Sequence, residues 1–136
     1  MSDDFPITIY HNPACGTSRN ALAMIEATGY IPQIVEYTKV GWTRSLLQRL
    51  FSDMGASARN VLRENGTPAA ELGLLSEQVS DDEILAAMIE HPILVNRPIV
   101  VTPKGTKLCR PSEVVLSLLE RLPDQFTKEG GEVVRP

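Results

Sequence analysis

The chain has 136 residues, a formal net charge of −4 and a hydrophobic fraction of 43%. These values are typical of one soluble globular domain, and no apolar stretch is long enough to cross a membrane. The acidic balance argues against general binding to nucleic acids or anionic membranes, because such partners favour a basic face. We therefore predict a single domain over residues 1–136 with neither kind of partner.

The N-terminus and the cysteines indicate a reducing compartment. Residues 1–6 are acidic and lack the basic and then apolar pattern of a signal peptide. The two cysteines, Cys15 and Cys109, lie far apart in sequence and do not form a disulfide framework. Together with the two histidines they lack the spacing of a metal site. We expect a cytoplasmic protein that binds no metal.

The first motif joins a strand to a helix. Residues 7–10 form a short apolar run typical of a buried strand, and residues 20–27 are typical of a helix that ends near Gly29. Cys15 lies in the turn between them, at the start of the helix. A helix N-terminus has unpaired backbone N–H groups and the positive end of the helix dipole. Both lower the pKa of a thiol and favour the binding of oxyanions. Cys15 is therefore the candidate nucleophile.

A second strand and a helical insert follow. Residues 34–37 are rich in β-branched side chains and predict a strand, which completes a parallel βαβ unit. From about residue 43 to residue 90 the periodicity is mostly helical. Thr43 can cap one helix of this insert, and Ser80 with Glu83 forms a capping-box pattern before another.

The last third of the chain predicts two strands and a helix. Residues 99–101 and 107–109 read as strands of an antiparallel hairpin, with a tight turn at 103–106. A final helix is predicted over 113–122, because apolar residues recur on one face of it. The segment from about 124 to 136 is predicted to be a loose tail.

The order βαβ, helical insert, ββα predicts a thioredoxin-like α/β fold, in which helices flank a four-stranded mixed sheet. In that layout the Cys15 thiol lies at the end of the first strand. The pair Arg97 and Pro98, which enters the third strand, lies across from it. An X-Pro bond at that place is a candidate for a cis peptide.

Three segments carry a resemblance to a known family. Residues 11–20 read HNPACGTSRN, residues 91–103 read HPILVNRPIVVTP, and residues 108–114 read LCRPSEV. They resemble the corresponding segments of the glutaredoxin-coupled arsenate reductases, the ArsC family. The resemblance runs from about residue 7 to residue 119, and Arg63 within the sequence VLRE matches a third arginine of that family.

The resemblance implies an activity and a set of site residues. The family reduces arsenate to arsenite for arsenic detoxification, with glutathione as co-substrate, glutaredoxin as partner and no bound cofactor. It implies that Cys15 is the essential cysteine and that His11 supports its thiolate. It also implies that Arg63, Arg97 and Arg110 bind the oxyanion.

The chemistry of these residue types suits that reaction. An arginine fork stays charged and binds the oxygens of a tetrahedral anion two at a time, and its positive field lowers the pKa of a nearby thiol. We expect the Cys15 thiolate to attack arsenic and expel hydroxide or water. Glutathione then reduces the adduct, glutaredoxin resolves the mixed disulfide, and arsenite is released. Because Ser18 replaces the second cysteine of a Cys-x-x-Cys motif, the resolving thiol must be external.

The remaining residues near the motif have supporting roles or none. We expect Ser18 to donate to the Cys15 sulfur, and Arg19 to face solvent or pair with an acid. Pro98 supports the site through its constrained bond. Cys109 ends an apolar strand and is expected to fill the core, although a disulfide with Cys15 is open if the Cα atoms lie within about 7 Å.

Two other functions remain open at this point. Spx-type transcription regulators have a similar insert, bind RNA polymerase and sense redox state through Cys-x-x-Cys, whereas this chain has Ser18 at the second position. Another glutathione-dependent thiol reductase, acting for instance on mixed disulfides, would share Cys15 without needing Arg63 and Arg110. For the arsenate reductase we expect a monomer.

Overall fold

The computed structural model describes residues 5–136 and divides them into two compact units. The first unit comprises residues 5–36 together with Arg97–Pro136, and the second comprises Tyr37–Asn96. The prediction about the N-terminal segment falls partly on residues 1–4, which lie outside the described residues. Within the described part of the chain, no helix combines the length and apolar character that a membrane crossing requires.

The first unit contains a four-stranded mixed sheet. Its strands are β1 (Thr8–His11), β2 (Gln33–Glu36), β3 (Ile99–Thr102) and β4 (Gly105–Leu108), in the order β2-β1-β3-β4. β1 is parallel to β2 and antiparallel to β3, and β3 is antiparallel to β4. The predicted mixed sheet of the thioredoxin-like fold is therefore confirmed, including its parallel βαβ unit and its hairpin.

Helix α1 (Gly16–Ala27) connects the two parallel strands. Ala21, Met24 and Ile25 are fully buried, and their spacing of three and four residues places them on one face of the helix. The helix ends at Thr28, and Gly29 follows with a φ of 91°, a left-handed conformation that glycine adopts without steric cost. The sequence predicted this stop correctly.

The core of the first unit lies between the sheet, α1 and a 3₁₀ helix, Ser112–Leu118. Its members include buried apolar side chains of these elements and of the residues that flank them: Ile7, Ile9, Ala21, Met24, Ile25, Val100, Cys109, Val115 and Leu118. Close packing of such side chains is the main source of stability for a domain of this size. Cys109 is one of these core residues, as predicted.

The last helix is shorter than predicted. The sequence predicts a helix over 113–122, whereas the structure has the 3₁₀ helix Ser112–Leu118 followed by extended backbone at Leu119. The backbone N–H groups of Glu120 and Arg121, which a longer helix would use internally, donate instead to the hydroxyl oxygen of Tyr30. A tertiary contact therefore replaces the last helical turn.

The prediction of a loose tail over 124–136 is wrong. Strands β5 (Phe126–Thr127) and β6 (Val133–Val134) form a small antiparallel hairpin, here called the C-terminal hairpin. Phe126 and Val134 pack against the core of the first unit. Lys128 Nζ lies 2.6 Å from Glu113 Oε1 and ties the hairpin to the 3₁₀ helix.

The boundary of β2 differs from the prediction by one residue. The sequence predicts a strand over 34–37, but β2 pairs with β1 only from Gln33 to Glu36, where its partner strand ends at His11. Tyr37 begins a short helix, α2 (Tyr37–Val40). Its hydroxyl donates to the carbonyl of Val95, which fixes it within the second unit.

The second unit is largely helical, but it is not helical throughout the predicted range of 43–90. Its longer helices are α3 (Arg44–Met54) and α4 (Asp81–Glu90), and two 3₁₀ turns lie at Arg59–Val61 and Pro92–Leu94. Thr43 caps α3 by accepting from the Leu46 N–H, and Ser80 with Glu83 forms the predicted capping box of α4. Between residues 62 and 79 the chain runs through turns.

Candidate active site

The loop that carries Cys15 is ordered by its own hydrogen bonds. The Cys15 N–H donates to the Asn12 carbonyl at 3.0 Å, and the Ala14 N–H donates to Asn12 Oδ1 at 3.0 Å. The second contact is the side-chain turn that asparagine favours. Cys15 then caps α1 with an extended backbone, and its side chain is 8% exposed. The thiol thus lies at the first turn of a helix, as the sequence predicted.

Two arginines from different parts of the first unit reach this thiol. Arg110 Nη1 lies 3.7 Å from Cys15 Sγ and also donates to the Arg97 carbonyl at 2.9 Å. The Arg97 side chain also acts on the sulfur, since it lowers the pKa of the Cys15 thiol. Arg97 precedes a cis peptide bond to Pro98, which was the predicted candidate. A sulfur and two guanidinium groups are therefore brought together.

These donors determine the ionisation of Cys15. Burial alone would raise its pKa, but hydrogen bonds from Arg97, the Ser18 backbone N–H and Arg110 outweigh burial and lower the pKa from 9.0 to about 7. At neutral pH about half of the thiol is therefore ionised. The thiolate is the nucleophilic form of cysteine.

The Ser18 hydroxyl has a different role from the backbone N–H of the same residue. Its oxygen lies 2.6 Å from His11 Nδ1 and accepts from the Asn12 N–H at 3.1 Å. Ser18 is fully buried, so the hydroxyl holds α1 to the end of β1. We predicted that Ser18 donates to the Cys15 sulfur, and the group of Ser18 that acts on the sulfur is its backbone N–H. The sequence did not predict the contact between the Ser18 hydroxyl and His11.

His11 lies at the end of β1 with 5% of its surface exposed. Burial lowers its pKa, and the nearby Glu36 carboxylate opposes this effect only in part. The imidazole is therefore neutral at neutral pH. The hydrogen bond to Ser18 connects it with the cysteine loop, and its predicted support of the thiolate stays a prediction.

Arg63 belongs to the second unit. Its backbone N–H donates to the Leu94 carbonyl at 2.8 Å, and its Nε donates to the Asn65 carbonyl at 3.2 Å. It lines an open pocket of about 300 Å³ together with Leu62, Glu64, Asn65 and Asn96. The structure thus groups Cys15, Arg97 and Arg110 within one unit, and the binding of an anion by Arg63 stays a prediction.

Cys109 has the opposite environment to Cys15. It is completely buried in the apolar core, and burial raises its pKa to about 12. Its sulfur has a weak contact of 3.7 Å with the Lys107 carbonyl. Both cysteines are free thiols. Cys109 is therefore a neutral core side chain at physiological pH.

One contact near the loop involves a residue that sequence reasoning missed. Arg19 donates to the Pro13 carbonyl at 2.7 Å and pairs with Glu129 of the C-terminal hairpin at 2.8 Å. The expectation that Arg19 pairs with an acid is confirmed, but its partner lies 110 positions along the chain. No local pattern could have identified Glu129.

The arrangement offers a nucleophile beside a place for a tetrahedral anion. The Cys15 thiolate lies at a helix N-terminus, where backbone N–H groups and the dipole favour negative charge. Arg110 Nη1 lies 3.7 Å from its sulfur and Arg97 also lowers the pKa of the thiol, and arginine side chains bind oxyanions bidentately. This set of groups can bind an oxyanion and attack its central atom.

Comparison with known proteins gives consistent matches. The model of the ArsC family matches residues 10–118. The arsenate reductase ArsI2 of Synechocystis is 60% identical over 129 residues, which cover 94% of this chain and 92% of that protein. The arsenate reductase of Escherichia coli K12 is 55% identical with the same coverage of both chains. A solved arsenate reductase structure from Vibrio cholerae is 40% identical, with a TM-score of 0.79, and the match covers 85% of this chain and 98% of that one.

Proposed function

The chain belongs to the ArsC family, and from this premise we propose that it is an arsenate reductase that uses Cys15 as its nucleophile. The observation that carries the proposal is the Cys15 thiol at the N-terminus of α1 with the Arg110 guanidinium 3.7 Å from its sulfur. Arg110 and Arg97 both lower the pKa of this thiol. The relatives named arsenate reductases match this chain over nearly its whole length, which supports the same substrate.

Arsenate suits the charges of the site. It carries one to two negative charges at neutral pH and presents several acceptor oxygens on a tetrahedron. Arg97 and Arg110 bind these oxygens in the proposal, with Arg63 as the third arginine. The same arginines stabilise the charge that moves when an arsenic–oxygen bond breaks.

In the first proposed step the Cys15 thiolate attacks arsenic. A sulfur–arsenic bond forms and an arsenic–oxygen bond breaks, and the oxygen leaves as hydroxide or, after protonation, as water. Arsenic keeps the +5 state in this step. The anionic thiol that the step needs is available because hydrogen-bond donors lower the pKa of Cys15.

In the second step glutathione supplies the electrons. Its thiolate attacks the Cys15 sulfur, a disulfide forms, and the electron pair of the broken sulfur–arsenic bond stays on arsenic, which becomes As(III). Because the sulfur–arsenic bond is the one that breaks, arsenic leaves at this point as arsenite. A glutaredoxin thiolate then attacks the glutathione sulfur of the mixed disulfide, takes the glutathionyl group and releases Cys15 as a thiolate. An external thiol is proposed because Ser18 occupies the place of a resolving cysteine and Cys109 is buried and protonated.

The proposed setting is the cytoplasm, where glutathione and glutaredoxin keep thiols reduced. We expect a monomer that meets glutaredoxin transiently. An Spx-like regulator and a reductase for other mixed disulfides are the competing functions. No contact described above favours either of them, because neither explains two arginines at the Cys15 sulfur.

The test is arsenate-dependent consumption of NADPH in the presence of glutathione, glutathione reductase and glutaredoxin. We expect turnover by the wild type and by Cys109→Ser, and none by Cys15→Ser. Omission of glutaredoxin should stop steady turnover. An absence of arsenate-dependent consumption by the wild type would reject the substrate, whereas turnover with thioredoxin alone would reject only the proposed reductant.

A further inference from the structure

A network of polar contacts joins the cysteine loop to the C-terminal hairpin. Arg19 lies in the first turns of α1, and its Nη1 donates to the Pro13 carbonyl at 2.7 Å. Its Nε and Nη2 donate to the two carboxylate oxygens of Glu129, at 2.8 and 2.9 Å. One guanidinium therefore bridges the loop, two residues before Cys15, and a carboxylate from the distant end of the chain.

Glu129 is held in place by contacts other than this ion pair. Its backbone N–H donates to Asn20 Oδ1 at 3.0 Å. The neighbouring Lys128 pairs with Glu113 at 2.6 Å, and Phe126 and Val134 pack against the core. The C-terminal hairpin therefore presents the carboxylate at a fixed place beside α1.

The location of the pair is unusual for a stabilising surface contact. A cation in the first turns of a helix is unfavourable, because the N-terminus already carries partial positive charge. The Glu129 carboxylate offsets this unfavourable positive charge, since it lies close to Gly16, the first residue of α1. Both side chains are about half exposed, and an exposed pair contributes only about 0–1 kcal/mol to stability. Stability alone is a weak reason for this arrangement.

The hydrogen-bond geometry of Arg19 gives a better reason for this ion pair. Only an arginine has enough donors in a fixed plane to bind both carboxylate oxygens and a backbone carbonyl at once. The pair therefore acts on the position of the cysteine loop.

We propose that Arg19 and Glu129 are positioning residues for the reaction of Cys15: Glu129 holds the Arg19 guanidinium on the Pro13 carbonyl, which fixes the loop that presents the thiol to Arg97 and Arg110. This inference deepens the proposed function and rests on it. It also gives the C-terminal hairpin a role in the active site, although it lies more than 100 residues from Cys15 in sequence.

The first test is Arg19→Gln, which removes the charge and cannot make all three hydrogen bonds. We expect kcat/KM for arsenate to fall about tenfold, within the roughly 100-fold that a misplacement of 1 Å can cost. The midpoint of the pH profile for alkylation of Cys15 by iodoacetamide should rise above about 7, because a displaced loop weakens the interaction of Arg97 and Arg110 with the sulfur. Glu129→Gln alone should lower kcat/KM relative to the wild type. The double variant Arg19→Gln/Glu129→Gln should have nearly the same kcat/KM as Arg19→Gln alone.

The charge-exchanged variant Arg19→Glu/Glu129→Arg separates positioning from a purely structural role. It re-forms an ion pair between α1 and the C-terminal hairpin, but a carboxylate at position 19 cannot donate to the Pro13 carbonyl. We expect its thermal unfolding midpoint to lie closer to that of the wild type than the midpoint of Arg19→Gln does. Its kcat/KM and the reactivity of its Cys15 thiol should stay as low as in Arg19→Gln. Recovery of activity together with stability would overturn the proposal.

Arg44→Gln is the matched control, since it removes an exposed arginine–carboxylate pair, Arg44 with Asp82, that belongs to neither the cysteine loop nor the C-terminal hairpin. We expect its kcat/KM and its alkylation profile to equal those of the wild type. A wild type without arsenate turnover rejects the proposed function, but the alkylation profiles still test the positioning role. An unchanged profile and unchanged kcat/KM in Arg19→Gln would refute that role.

Discussion

Cys15 and Cys109 belong to the same compact unit and are both buried, yet their thiols have opposite properties. The pKa of Cys15 is lowered to about 7, whereas that of Cys109 is raised to about 12. Burial acts in the same direction on both, because it disfavours the charged form. The difference comes from the donors: two arginines and a backbone N–H reach Cys15, while Cys109 lies among apolar side chains.

The comparison teaches that a reactive cysteine is produced by its neighbours rather than by its exposure. Cys15 is 8% exposed and Cys109 is not exposed at all, a small difference that cannot explain their pKa values. Three elements meet at Cys15: the start of α1, the entry to β3 and the residues after β4. Cys109, by contrast, lies in the hydrophobic core of the same unit, among apolar side chains.

The largest expected effect comes from exchanging each sulfur for oxygen. Cys15→Ser should abolish arsenate reduction, because a serine hydroxyl is not ionised at neutral pH, and should leave the fold intact. Cys109→Ser should retain turnover but lower the free energy of unfolding by about 1–2 kcal/mol, because it places a hydroxyl in an apolar core. NADPH consumption and urea unfolding of both variants check this. Comparable loss of activity in the two variants would contradict the distinction.

The pH dependence of stability should have opposite signs for the two thiols. Between pH 7 and 9 the unfolded state binds more protons at Cys15, so the free energy of unfolding relative to Cys15→Ser should rise by roughly 2–3 kcal/mol and be lost as pH falls through 7. Above pH 9 the native state binds more protons at Cys109. Stability relative to Cys109→Ser should therefore fall. Urea titrations in a reducing buffer at several pH values measure both trends, and parallel curves would argue against these pKa values.

Removal of one donor should make Cys15 more similar to Cys109. Arg110→Met deletes the contact of 3.7 Å with the sulfur, and the pKa of Cys15 should rise towards its ordinary value. A rise of about one pH unit would reduce alkylation at pH 7 about fivefold. Arg121→Met is the matched control, because Arg121 lies over the Tyr30 ring instead. Equal reactivity of the two variants would show that Arg110 does not activate the thiol.

The smallest expected effect separates the two groups of Ser18. Ser18→Ala leaves His11 Nδ1 and the Asn12 N–H without their buried partner, which should cost about 1 kcal/mol of stability. The alkylation profile of Cys15 should not change, because the donor to its sulfur is the backbone N–H. An upward shift as large as that of Arg110→Met would assign the donation to the hydroxyl.

Local signals were sufficient for much of the fold. The apolar run of residues 7–10, the start of α1 at Cys15 and the turn at 103–106 are encoded by neighbouring residues, and the sheet follows from their order. The capping box of Ser80 and Glu83 likewise needs only four residues. Such patterns predict structure well because their interactions are short-range.

The features that the sequence did not predict, such as the C-terminal hairpin, depend on contacts between residues far apart in the chain. The C-terminal hairpin depends on pairs such as Arg19 with Glu129 and Lys128 with Glu113, and its strands have only two residues each. The final helix stops early because Tyr30 accepts two N–H groups beyond it. In the site, family resemblance pointed to Arg97 and Arg110, but their meeting at one sulfur required the fold.

The most direct test of this account is a site-resolved thiol titration. The wild-type protein would be pulsed with iodoacetamide from pH 5 to 10, and modification of Cys15 and Cys109 would be quantified separately by mass spectrometry. The account predicts a midpoint at about pH 7 for Cys15 and no appreciable modification of native Cys109 at neutral pH. A midpoint for Cys15 near its ordinary value of 9.0 would contradict the claim that Arg97, Arg110 and the Ser18 N–H activate this thiol.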